Sequence, residues 1–145
     1  MSLKLHVGVV PTFRNGYNYM DELHSSPYQR KMIAEINEPF KPDLVVLDGI
    51  DAFVDGGPAT GKSARGNVFL TSQDRVAIDA VGVAILKLLG SNDYIMERKI
   101  FDQDQIARAV ELGLGVSSPS EIELVAADEG SQTYKDRVAE VLSRG

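Results

Sequence analysis

The chain lacks cysteine altogether, and that absence excludes more than any motif asserts. No disulfide can form, and no zinc or iron–sulfur cluster can be held by thiolates of this chain. Tryptophan is also absent, and histidine occurs only twice, as His6 and His24. Two histidines so far apart are weak ground for an imidazole metal centre. No apolar run reaches the roughly 18–20 residues that a bilayer-spanning helix needs. The opening MSLKLHVGVVP has none of the tripartite pattern of a secretory signal. Basic residues are in the minority, 15 against 21 acidic, for a net charge of −6. This speaks against a nucleic-acid binder, which presents a basic face. A cytoplasmic protein without membrane or nucleic-acid partners is the expectation.

What is present suits one domain: 145 residues, of which 43% are hydrophobic, enough to bury a core. Leu5–Val10 alternates and is β-branched, which predicts a strand ended by Pro11. Ser26-Pro27 is a helix-start pair, and Tyr28, Met32, Ile33 and Ile36 follow at helical spacing up to a stop before Pro39. Leu44–Leu47 and Val68–Leu70 read as strands, the first so continuous that burial on both faces is expected. Ser72 is placed to cap a helix from about Gln73 to Leu89, apolar nearly all round and therefore central, with Gly90 as its stop. Asp102–Gln105 starts another helix that Gly113 and Gly115 end. Glu121–Ala126 alternates as a fourth strand would, and Thr133–Leu142 is amphipathic. Strands alternating with helices predict a layered α/β fold, with a parallel or mixed sheet of about four strands flanked by helices.

Chemistry concentrates between Pro42 and Asp79. Gly56–Ser63 fits the phosphate-loop pattern G-x-x-x-x-G-K-[ST], whose amides and lysine cradle phosphates. That reading needs a helix directly after Ser63. Only Ala64, Arg65 and Gly66 intervene before the next strand, and Pro58 removes an amide. The competing reading is a glycine-rich connection. Asp48 stands at the expected end of a strand, with Asp51 and Asp55 after it. Carboxylates in that place suit a divalent cation, or acid–base work on a polar substrate. Turn formation by Asp before Gly is the plainer alternative. Gly56, Gly57 and Gly61 would let a ligand approach the backbone. Lys4 and His6 share one strand face and are expected beside the same site. Asp79, inside the apolar helix, needs a partner, and Arg75 one turn earlier is the expected one.

The run Lys41–Ile50, then Phe53, Gly56-Gly57-Pro58 and Gly61, resembles the bacterial and archaeal domain-of-unknown-function family 362. Ser72–Gly82 resembles it too, and Ala109–Gly115 with Glu121–Val125 look like its C-terminal portion. The resemblance implies a single α/β domain over residues 1–145 that is the C-terminal part of a longer protein. Some members are fused to ferredoxin-type domains. An iron–sulfur protein, the missing N-terminal half or a second copy are the partners this implies. It carries no activity and no catalytic residues. Three functions are therefore expected: an acidic, glycine-rich site for a divalent cation or polar substrate, phosphate or nucleotide binding through Gly56–Ser63, or a non-enzymatic partner domain.

Overall fold

The computed structural model describes residues 27–56 and 60–145. The expected strand Leu5–Val10, with Lys4, His6 and His24, lies outside the described residues, as does Gly57. The elements are α1 (Pro27–Ile36), β1 (Val45–Asp55), β2 (Lys62–Ser72), α2 (Arg75–Leu89), α3 (Asp93–Glu97), α4 (Asp104–Glu111) and α5 (Gln132–Arg144). Short 3-10 turns lie at Ile100–Asp102, Pro119–Glu121 and Glu129–Ser131.

The fold is mixed α/β, as expected, but the sheet is not the one expected. Among the described residues it has two strands, β1 and β2, paired antiparallel as a hairpin. Glu121–Ala126 is not a strand: the Pro119–Glu121 turn runs into it and no ladder forms. Its alternation is nonetheless real. Ile122 and Leu124 pack on the core while Glu123 and Val125 face outward. One-sided burial produces the period of two without any partner strand. The apolar run at β1 misleads in the opposite sense. Leu44 and Val46 are exposed, and the inward residues are Val45, Leu47, Gly49, Ala52 and Val54. The hairpin is covered on one face only.

α2 is central, as its composition requires. Val76, Ile78, Ala80, Val81, Ala84 and Ile85 are buried in it, and it packs against β1, β2, α3, α4 and α5. Small Ala80 and Ala84 let neighbouring elements close in, and Ile100, Ile106, Val138 and Leu142 complete that cluster. Full burial of Ile100 and Ile106 stabilises the fold by about 1.5–3 kcal/mol each. Gly90 ends α2 in the left-handed conformation (φ 76°), where a side chain would be strained, and its N–H reaches back to the last carbonyls.

The N-cap of α2 is Asp74 rather than Ser72. Asp74 Oδ1 accepts from the N–H groups of Val76 and Ala77, both at 2.8 Å. Ser72 Oγ instead accepts from Asp74 N–H at 2.9 Å and so fixes the cap residue. The second carboxylate oxygen, Oδ2, accepts from Val116 N–H at 2.9 Å, across a sequence separation of 42. Gly115 lies so close that a Cβ there would stand 2.3 Å from Asp74 Oδ1. One carboxylate thus starts the central helix and pins the segment after α4. Asn caps helices as well as Asp does, but its amide would turn an N–H toward Val116 N–H. Asp74→Asn is therefore expected to cost about 1–3 kcal/mol, read as a lower midpoint in urea unfolding. Equal stability of the two proteins would mean that the Val116 bond contributes nothing.

Candidate functional site

The acids of the hairpin do not gather. Asp48, Asp51 and Asp55 are all residues of β1, not of a strand end and a loop after it. At a rise of about 3.3 Å per residue, successive members stand about 10–13 Å apart along the strand. Cation-bound oxygens must all lie within about 2.0–2.6 Å of one ion. Among the described residues, no three His, Asp or Glu side chains come together in a way that would hold a metal. Each acid has a local role instead. Asp48 Oδ1 accepts from Ile50 N–H at 3.0 Å beside the register shift between Gly49 and Asp51. Asp51 faces Arg65 across the ladder at 3.9 Å, with both side chains about 70% exposed. Such a pair contributes little. Asp55 Oδ1 accepts a long bond, 3.4 Å, from Asn92 Nδ2.

The glycines serve the turn. Gly56 has φ 68°, and a Cβ on Gly61 would lie 2.4 Å from the Asp55 carbonyl oxygen. Lys62 and Ser63 are the first residues of β2, so no helix follows the glycine-rich stretch. The geometry a phosphate loop requires, strand then loop then helix, is not met.

A broad concavity lies on the other side of β1. It is a cleft of about 1080 Å³ between α1, the chain that follows it, the start of β1, α2 and α4. Its walls include Ile33, Phe40, Leu44, Ile106, Ala109 and Leu114. Three polar groups of α2 and α4 also line it: Arg75, Asp79 and Gln105. The position of α1 makes this cleft. That helix packs on α4, aided by Arg108, whose guanidinium meets Glu35 Oε1 at 2.8 Å. After α1 the chain turns through Asn37 to Pro42 before entering β1, and the turn roofs one end.

Arg75 and Asp79 do not pair. Arg75 spends its donors on backbone carbonyls: Nε on Leu114 at 3.2 Å, and Nη1 on Asn37 and on Phe40, the latter at 2.8 Å. Asp79 takes its hydrogen bond from Gln105 Nε2, 2.6 Å from Oδ2. Burial raises the Asp79 carboxyl above the ordinary carboxylate range, and the Gln105 bond offsets only part of that rise. The result is a carboxyl group biased toward its neutral form, set in an apolar wall beside an amide. A neutral carboxyl can donate a proton in a hydrogen bond as well as accept one. The sequence singles out Asp79, because an acid in so apolar a helix demands an explanation. It offers no signal for Gln105, 26 residues away.

Helices packed around a one-sided β-hairpin, with a half-buried acid in the wall of a largely apolar cleft, give the described residues a mixed α/β fold. The family model described as "Domain of unknown function (DUF362)" matches residues 1–84, more than half of the chain, and the protein belongs to that family. The matched span includes the whole hairpin, Arg75 and Asp79, and stops before Gln105. The segments Ala109–Gly115 and Glu121–Val125 lie beyond it. No curated protein and no solved structure matches the chain.

Asp79 makes stability depend on pH in a definite direction. A carboxyl with a folded-state pKa above its unfolded value gives stability that is complete below the unfolded pKa and is lost as pH rises through the folded one. Asp79→Asn removes that loss. Near pH 4 the variant should match the wild type. With rising pH it should become progressively the more stable of the two. Thermal melts of both proteins from pH 4 to 8 check this; a gap that stays constant would show that folding does not raise the Asp79 pKa.

Proposed function

We propose that this chain is a small-molecule-binding domain whose site is the cleft beneath α1, with Asp79 and Gln105 as its polar floor. One observation carries the reading: the Asp79 carboxyl, its pKa raised by burial and its Oδ1 unbonded, opens on a largely apolar cleft of about 1080 Å³. Acids whose pKa is raised by burial cluster where ligands are held or protons moved. Asp79 Oδ2 is occupied by Gln105, while Oδ1 accepts no hydrogen bond among the described residues. That oxygen is the atom we assign to the ligand. The apolar walls supply affinity, and the acid–amide pair supplies orientation. The hairpin acids have no part in this site. Protein-observed NMR with a library of apolar fragments tests it. Binders are expected to shift the amides of Ile33, Gln105, Ile106 and Ala109, and to lose affinity about tenfold or more in Ala109→Phe, a loss of at least about 1.4 kcal/mol. Shifts confined to Phe53 and Phe69 would overturn the assignment.

A second reading rests on the opposite face of the hairpin. Val46, Ile50, Phe53 and Phe69 are all exposed there, Phe69 to 61%. Contiguous apolar surface of this kind marks a contact face. The same face carries Asp51 beside Arg65, so it is self-complementary: a two-fold contact would set each acid against the other copy's base. This supports self-association through β1 and β2. Light scattering on the wild type should give a concentration-dependent mass that Phe53→Lys with Phe69→Lys reduces to the monomer. A wild type that stays monomeric at high concentration sinks the reading.

A further inference from the structure

We infer that the cleft takes an amphipathic acid, with an apolar body along its walls and one carboxylate head at the Arg75 end. The inference rests on the cleft reading above and adds the chemical class of the ligand. The first ground is the sign of the lining. The charged residue types that line the cleft are Lys41, Arg75 and Asp79. Two of these three are positive, in a chain whose net charge is −6.

The second ground is the state of Arg75. Its Nε and Nη1 are engaged by the carbonyls of Leu114, Asn37 and Phe40. Carbonyls orient a guanidinium but do not neutralise it. Among the described residues no carboxylate ion-pairs with Arg75, whereas Arg65, Arg98 and Arg144 each have one and Arg108 has two. Nη2 donates no hydrogen bond among the described residues, so both of its N–H groups are available. A fixed, half-buried, unpaired guanidinium at the end of an apolar cleft is suited to a carboxylate head. Lys41, exposed at the rim, adds a second positive charge.

The third ground is the pattern of donors and acceptors. A cationic ligand would meet two positive groups, Lys41 and Arg75, against the single acid Asp79. A neutral apolar ligand would leave the Nη2 donors unused. An amphipathic acid uses both the charge and the walls. Asp79, one turn along α2 from Arg75, then faces the body of the ligand. There its Oδ1, which Gln105 leaves unbonded, suits a ligand hydroxyl rather than a second anion.

The test compares three probes of one length by isothermal titration calorimetry, all below their micelle-forming concentrations: decanoate, decan-1-ol and decylammonium. Decanoate is expected to bind saturably at one site, about tenfold or more tighter than the alcohol, given the strength of hydrogen bonds to charged groups. Decylammonium is expected to show no saturable binding. Lys41→Glu, at an exposed position that does not threaten folding, should weaken decanoate several-fold and leave decan-1-ol unchanged. Ala109→Phe, which fills the cleft, should abolish both. Arg75→Gln should remove the preference for the acid, and its melt must first show a folded protein, because Arg75 also ties three carbonyls. Equal affinity for acid and alcohol, both lost in Ala109→Phe, overturns the present inference and leaves the cleft reading standing. Decanoate binding that Ala109→Phe does not touch, or no binding by any probe, overturns the inference; the first result also moves the site out of the cleft.

Discussion

Two neighbouring side chains at the start of α2 hold three parts of the chain in place. Asp74 collects N–H groups, those of Val76, Ala77 and Val116. Arg75 collects carbonyls, those of Asn37, Phe40 and Leu114. Opposite charges adjacent in sequence would ordinarily be read as a pair. Here each serves backbone groups of one polarity. Hydrogen bonds to charged groups contribute about 1.5–3 kcal/mol each, more than neutral ones. Apolar packing alone would let α1 and the segment after α4 slide over α2, because hydrophobic contact has no direction. The Asp74–Arg75 node supplies the direction. It sets the helix start, the exit from α4 and the turn after α1 against one another.

The cleft and its chemistry follow from that node. The turn from Asn37 to Pro42 roofs one end of the cavity because Arg75 holds its carbonyls. With the guanidinium so occupied, Asp79 cannot draw it one turn along the helix into an ion pair. An uncompensated carboxylate in an apolar wall costs several kcal/mol, so the group shifts toward its neutral form instead. Gln105 donates to the carboxyl and offsets part of that shift. A single choice, a guanidinium given to carbonyls rather than to a carboxylate, thus leaves an unpaired cation and a biased acid in the same cavity.

What the sequence discloses, and what it hides, divides along the same physical line. α2 is legible because its apolar residues run nearly all round the helix, and its stop is legible because only Gly sits easily at φ 76°. α4 and α5 are legible from helical spacing. The hairpin is not. A two-stranded sheet covered on one face accepts Asp48, Asp51, Lys62 and Arg65 on its outer face, so 11-residue strands carry the composition of loops. The apolar stretches within them then look like short, fully buried strands of a parallel sheet. Asp48 moves in consequence from a strand end, where a ligand would sit, to mid-strand. At the cleft, one half was legible. Asp79 stands out by residue type against its surroundings. Arg75 and Gln105 do not, because their roles are fixed by carbonyls 35 to 39 residues away and by an acid 26 residues away, and no local pattern encodes such contacts.

The charge balance bears on how a ligand would arrive. Most acids of the described chain are spent locally: Glu35 and Glu111 on Arg108, Asp104 on Arg98, Asp128 on Ser131. They stand outside the cleft, whose lining holds the single acid Asp79, and they keep the whole molecule negative. An approaching anion therefore meets mild repulsion at long range and attraction only inside the cleft. At physiological salt the long-range part is screened within about 8 Å, while a half-buried guanidinium is screened much less. Selectivity for an acid would then arise after entry, from contacts at Arg75, rather than from steering. Such a site discriminates through how long it retains its ligand, and rising salt would weaken it far less than it would weaken an electrostatically guided one.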